Sequence, residues 1–269
     1  MTSPAPDVRL VVVDLDGTLL DGAKKMPAET FTVVRALHER GIAFAPASGR
    51  QHATIAAMFA DVADGLVIIA ENGAYVTRDG EPVAVHPIDP AVVADLVARL
   101  ERLDGVDLGV VVCGVESAWV NRTDRPFLDQ VEPYYRRLTT TDDLTGVDDQ
   151  VIKIAVLDFG DPEAVTAPFL LEHAGDHPVA VSGSHWVDVT APGVDKGLAV
   201  RDLQAALGID ATQTMAFGDY LNDYEMLRAA DWSFAMENAH PDIVEVAQYV
   251  APPNTENGVL TTLRAVLGV

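Results

Sequence analysis

Apolar runs and amphipathic stretches alternate along the first third of the chain. Residues 9–15, RLVVVDL, are β-branched and apolar on both faces, as a central parallel strand is. Residues 27–40, PAETFTVVRALHER, read as a helix with Pro27 near its start and Gly41 closing it. IAFAPAS (42–48) predicts a second strand, GRQHATIAAMFADV (49–62) a second helix and GLVIIAEN (65–72) a third strand. This βαβαβ succession predicts a doubly wound parallel sheet in an α/β fold.

The texture changes after about residue 80. A helix at 90–103 leads to two strands expected to pair antiparallel, VDLGVVVCG (106–114) and ESAWVNRT (116–123). A helix near 125–137, a strand at 151–159, a helix near 162–173 and strands HPVAVSG and HWVDVT follow, while the polar stretch 139–149 reads as a loop. From about 193 the βα alternation returns with KGLAVRDLQAALG, TMAFGD, LNDYEMLRAA and WSFAM. The simplest organisation is a discontinuous α/β core, residues 1–82 and 190–269, interrupted by an inserted α+β domain at 83–189.

A length of 269 residues with 49% hydrophobic content suits one large domain or two modest ones. Forty-one acidic against 18 basic residues give a formal charge of −23, which disfavours nucleic acid and anionic membrane partners. An anionic small ligand would need a local cation to overcome that field. No run approaches the roughly 20 apolar residues of a membrane span. The opening MTSPAPD lacks the basic-then-apolar pattern of a secretion signal, so a cytoplasmic location is expected. The single cysteine, Cys113, fits a reducing compartment and reads as a small buried residue.

Three of the predicted strands end in polar groups: Asp14 and Asp16 after the first, Ser48 after the second, Asp219 after TMAFG. In open α/β sheets, ligands bind beyond the carboxyl ends of strands, so these groups should converge. Close carboxylates need a cation or a shared proton, and oxygen ligands from three aspartates favour Mg2+. An ionised carboxylate could then attack phosphorus without a base to activate it. DLDG alone also fits a strand-ending turn that caps amides. Ser48 begins S-x-x-Q, a capping box closed by Gln51, and a helix start there would let Ser48 and the Gly49 amide hold a phosphate. Lys196 opens a helix, where its charge opposes the dipole; it is either solvated or set to neutralise a phosphate.

DLDGTLLDG, ASGR, DKG and GDYLND occur in order at spacings that resemble the haloacid dehalogenase (HAD) superfamily of phosphatases. The inserted domain, with ENGA (71–74) before it, resembles the type IIB cap of the Cof-like subfamily; MENA (236–239) and NTENGV (254–259) are further matches. The resemblance implies that Asp14 is the nucleophile and Asp16 the general acid–base. It implies Mg2+ held by the Asp14 side chain, the Asp16 carbonyl and Asp219, with Asp223 steadying the metal's waters or Lys196. Ser48, Gly49 and Lys196 would hold the phosphoryl oxygens, with Asn222 nearby. Tyr220 stands where the family often has asparagine. Asp16 is expected to start protonated, its carboxyl raised by the neighbouring carboxylates and by burial.

The reading is therefore a Mg2+-dependent phosphatase of a small phosphorylated metabolite, a sugar phosphate or phosphorylated cofactor, as monomer or small homo-oligomer. Alternatives are a phosphomutase with the same aspartyl chemistry, a receiver-like signalling module and a non-catalytic phospho-metabolite binding protein. Arg122 and Arg125 either meet a charged substrate tail or pair with Asp124. His173 and His177, four apart, read as a helix end rather than a zinc site.

Overall fold

β1 (Leu10–Asp14) is buried along its whole length in the computed structural model, which describes residues 6–269. Residues 1–5, the start of the segment read for a leader, lie outside the described residues. Leu10, Val11, Val12 and Val13 are fully covered. Each such side chain contributes about 1.5–3 kcal/mol by burial, enough together to offset carrying a carboxylate into the interior at the strand's end.

After β1 come α1 (Thr30–Glu39), β2 (Ala43–Ala47), α2 (His52–Met58), β3 (Val67–Ala70), β4 (Tyr75–Arg78) and β5 (Glu81–Val85). The next segment holds α3 (Pro90–Leu100), β6 (Leu108–Gly114), β7 (Ala118–Val120), α4 (Arg125–Val131), β8 (Leu138–Thr140), β9 (Val151–Asp158), α5 (Thr166–His173), β10 (Val179–Gly183) and β11 (Trp186–Thr190). The chain ends with α6 (Lys196–Leu207), β12 (Thr214–Gly218), α7 (Tyr224–Arg228), β13 (Trp232–Met236), α8 (Pro241–Val246), β14 (Tyr249–Ala251) and α9 (Gly258–Leu267).

Two compact units result. The first comprises the chain up to Gly49, Ile55–Ala84 and Asp195–Val269; the second comprises Arg50–Thr54 and Val85–Val194. In the first, eight strands run in the order β14-β13-β12-β1-β2-β3-β4-β5. The pairs from β14 through β3 are parallel, and β3 meets β4 antiparallel. This is the doubly wound α/β sheet expected, with a hairpin added at one edge. β1 lies between β2 and β12, with Asp14 opposite Ala47 and Val13 opposite Phe217. Asp14, Ser48 and Asp219 therefore leave three adjacent parallel strands at one edge. The core beneath them gathers Leu10, Val12, Ala45, Ile69, Val200 and Met226.

The second unit is a six-stranded sheet, β10-β11-β9-β6-β7-β8. β6 and β7 pair antiparallel as expected. One apolar face packs Leu96, Val97, Ile154 and Leu170, the other Val111, Phe127, Ala155 and Leu157. α3 starts under a cap, Asp89 accepting from the Ala91 amide with Pro90 next. α4 stops at Val131 rather than near 137: Pro133, two residues on, has no amide hydrogen to continue the helical ladder. The stretch read as a loop from 139 begins inside β8, which pairs parallel with β7. No helix among the described residues is long and apolar enough to cross a membrane.

Candidate active site

β1 delivers Asp14, which is 6% exposed, to the sheet edge. Its Oδ1 accepts from Lys196 Nζ at 2.5 Å, and the same ammonium donates to Asp223 Oδ1 at 2.7 Å. Lys196 is fully buried. The solvated alternative for this lysine is thus excluded: Asp195 caps α6 through the Leu198 amide at 2.7 Å, and the helix start projects Lys196 between two carboxylates.

Asp223 is also fully buried, and its other oxygen accepts from the amides of Asp219 (2.9 Å) and Tyr220 (3.2 Å). It folds the loop after β12 back on itself and sets the direction of Asp219. Asp219 Oδ1 in turn accepts from Thr18 Oγ1 at 2.9 Å, and its carbonyl accepts from the His240 amide at 2.8 Å. Carboxylate oxygens of Asp14, Asp219 and Asp223 lie within 4.8 Å of one another.

Electrostatics follow from this crowding. Burial and then the Asp223 carboxylate push the Asp14 carboxyl well up, against the pull of Lys196; Asp219 adds to the rise. Burial and Asp223 push Asp219 up to about 6, opposed by the Thr18 hydrogen bond and Lys196. Burial pulls Lys196 down, but Asp14 and Asp223 outweigh it and hold the ammonium charged. Three carboxylates against one ammonium leave a formal charge of −2, which suits a hard divalent cation with oxygen ligands. Both Asp223 oxygens are engaged within the protein, so Asp14 and Asp219 are the members with capacity for such an ion.

Asp16 sits in a wide turn, Leu15–Leu19, closed by the Leu20 amide on the Leu15 carbonyl at 2.8 Å. The burial expected for it is not found: its side chain is 40% exposed, with Lys24 Nζ 3.9 Å away. The turn points this carboxylate outward while β1 carries Asp14 inward. Gly17, at φ 87°, admits the reversal; a Cβ there would lie 2.2 Å from Asp219 Oδ2.

Ser48 is 4% exposed and follows β2 directly; its amide donates to the Ile69 carbonyl at 3.0 Å. The expected capping box does not form. α2 begins only at His52, and Gln51 instead bonds both backbone groups of Arg137, at 2.8 and 2.9 Å. Ser48 and Gly49 thus form a loop ahead of the helix, not its first turn. Asn222 is exposed and donates to Asn72 Oδ1 at 3.2 Å. Tyr220 is 58% exposed and meets His240 edge-on, 5.9 Å between rings, so it removes no carboxylate from the cluster.

Sequence reasoning assigned no role to several residues around the Asp16 turn. Asn238 Nδ2 donates to the Gly17 carbonyl at 2.8 Å, and its Oδ1 accepts from the Asn254 amide at 3.0 Å. Asn254 Nδ2 then donates to the Leu20 carbonyl at 2.8 Å. These asparagines belong to the MENA and NTENGV stretches, which carried a resemblance but no chemistry. In the second unit, Arg122 bonds Asp107 (2.6 Å) and Asp124 (2.5 Å) and lies over the Phe127 and Phe159 rings. Arg125 pairs with Asp129 and Glu132. His173 and His177 bond nearby carbonyls at 2.8 and 2.9 Å, as befits a helix end.

Residues 11–263 match the family model of haloacid dehalogenase-like hydrolases. The 5-amino-6-(5-phospho-D-ribitylamino)uracil phosphatase YbjI of Escherichia coli strain K12 is 35% identical over 266 residues, 97% of this chain and 96% of that protein. A crystal structure from Eubacterium rectale superposes with a TM-score of 0.87 at 28% identity, covering 96% of this chain and 99% of the other. The HAD subclass IIB sugar phosphatase BT4131 shares the fold, with a TM-score of 0.78 at 24% identity over 97% of this chain and 100% of its own.

Proposed function

The chain belongs to the haloacid dehalogenase-like hydrolases as a phosphatase of the Cof-like type, and on that premise we propose that it hydrolyses a small phosphorylated metabolite through a phosphorylated Asp14. Phosphatases of this family generally use a divalent metal. We take it to be Mg2+, held by Asp14, Asp219 and the Asp16 carbonyl with Asp223 behind them; when bound it supplies positive charge against the phosphoryl oxygens.

In this reading an Asp14 carboxylate oxygen attacks phosphorus, and the bond to the ester oxygen breaks. Asp16 gives its proton to the departing alkoxide. Asp16, now ionised, takes a proton from a water molecule that attacks the aspartyl phosphate. Inorganic phosphate leaves and the Asp14 carboxylate is regenerated. Lys196 holds Asp14 in place and keeps positive charge beside it, while Ser48, Gly49 and Asn222 bind phosphoryl oxygens. Catalysis of this kind is positioning and charge neutralisation. The exposure of Asp16 supports its role, since proton exchange with leaving group and water needs an accessible carboxyl.

The observation that carries the proposal is the Asp14–Lys196–Asp223 arrangement with Asp219 alongside. The YbjI phosphatase is named for a phosphorylated ribityl chain and BT4131 for sugar phosphates, which supports a sugar phosphate or phosphorylated cofactor as the substrate here. A phosphate-release screen over sugar phosphates, nucleotides and vitamin phosphates, with and without Mg2+, tests it. Asp14→Asn is expected to be folded and inactive; turnover retained in that variant would refute the aspartyl route.

A further inference from the structure

The turn after β3 holds two consecutive non-glycine residues in left-handed backbone, Glu71 (φ 49°) and Asn72 (φ 54°), followed by Gly73 (φ 106°). Such conformations are unfavourable for side-chain-bearing residues and persist where the surroundings impose them. Here the surroundings are three segments of the site. The Asn72 amide donates to the Ser48 carbonyl at 3.0 Å. A Cβ on Gly49 would lie 2.9 Å from Asn72 Nδ2, so the carboxamide lies directly across that residue. A Cβ on Gly73 would lie 2.2 Å from the Asp195 carbonyl oxygen and 3.2 Å from the Lys196 nitrogen. Asn72 Oδ1 accepts from Asn222 Nδ2.

We infer that Asn72 is a positioning residue of the phosphate site: lying across Gly49 and bonded to Asn222, its carboxamide fixes these two groups relative to each other. The inference rests on the phosphate-binding role proposed for Gly49 and Asn222. Asparagine suits the task because it tolerates left-handed backbone better than other side-chain-bearing residues and presents both a donor and an acceptor. The Asn222 side chain is exposed and would otherwise sample several rotamers.

Asn72→Gly isolates the side chain, because glycine keeps the left-handed backbone without strain. The measurement is calorimetric titration of inorganic phosphate into Mg2+-loaded protein, with the melting temperature and kcat/KM in parallel. Asn72→Gly is expected to weaken phosphate binding about fivefold, the worth of one hydrogen bond, with the melting temperature unchanged or raised. The double variant Asn72→Gly/Asn222→Ala is expected to bind no more weakly than Asn222→Ala alone. Wild-type affinity in Asn72→Gly, or losses that multiply in the double variant, would overturn the inference. Asn72→Ser, too short to reach Asn222, gives the same reading should the glycine variant not fold. Wild-type protein that binds phosphate but turns over no phosphomonoester would sink the hydrolytic reading, and the titration would still decide the role of Asn72.

Discussion

Lys196 and Asp14 form a hydrogen-bonded ion pair of 2.5 Å whose ammonium is fully covered by protein. A buried pair gives little net stability, because desolvation offsets the attraction, but losing one partner is costly. Lys196→Met is therefore expected to lower stability by about 3–5 kcal/mol, since it leaves Asp14 and Asp223 facing each other unneutralised. Adding Asp223→Asn should recover part of the loss. Urea denaturation of both variants checks this; a Lys196→Met protein as stable as wild type would show the carboxylates to be protonated already.

The raised carboxyls give the metal-free protein a defined pH response. Between the unfolded value of 3.8 and a raised folded value, the native state holds a proton the unfolded chain has lost. Stability from Asp219 is thus undiminished below about 4 and falls as the pH rises towards about 6. Allowing for its partial exposure, the loss is on the order of 1–2 kcal/mol. Asp14 adds to the fall with the same sign. Mg2+ should reverse it, with a stabilisation that grows over the same interval as the carboxylates ionise. Melting curves in chelator and in Mg2+ across this range are the measurement, and a metal-free protein that gains stability on passing from pH 4 to 6 contradicts it.

Gly17→Ala should strike the metal site before it strikes the fold. The new Cβ meets Asp219 Oδ2, and φ of 87° suits no alanine. Strain of about 1–2 kcal/mol is expected, together with at least a tenfold loss of Mg2+ affinity as Asp219 is displaced. Calorimetric Mg2+ titration reads this directly; unchanged affinity would mean that Asp219 does not contribute to the ion site.

Asn238→Asp keeps an acceptor for the Asn254 amide but cannot donate to the Gly17 carbonyl. It should cost about 1 kcal/mol of stability, with a fall in kcat exceeding any change in KM because the turn that aims Asp16 loosens. Steady-state kinetics on any accepted substrate decide it, and a change confined to KM would assign Asn238 to substrate binding instead.

Residues at strand ends were legible in the sequence, because Asp14, Ser48 and Asp219 each terminate an unbroken apolar run. The burial of Lys196 was not. A lysine opening a helix looks solvated, and only the topology brings Asp14 and Asp223 onto it. Asn72, Asn238 and Asn254 act through hydrogen bonds to groups distant in sequence, and such bonds leave no periodic trace. The Asp79-Gly80 pair between β4 and β5 is a turn signal readable in the sequence. S-x-x-Q at Ser48 misled in the opposite direction: the local motif was present, but Gln51 found a better partner in the Arg137 backbone.

The ion pair at the centre of the site joins positions 182 residues apart, and β1 finds its β12 neighbour only beyond residue 213. A chain emerging from the ribosome must therefore carry Asp14 through most of synthesis without the lysine that neutralises it. The second unit can collapse meanwhile, because all of it but Arg50–Thr54 is the unbroken segment Val85–Val194. Assembly of the surroundings of Asp14 is thus among the last events of biogenesis, and a nascent chain truncated before Asp223 would hold β1 and an unfinished carboxylate cluster.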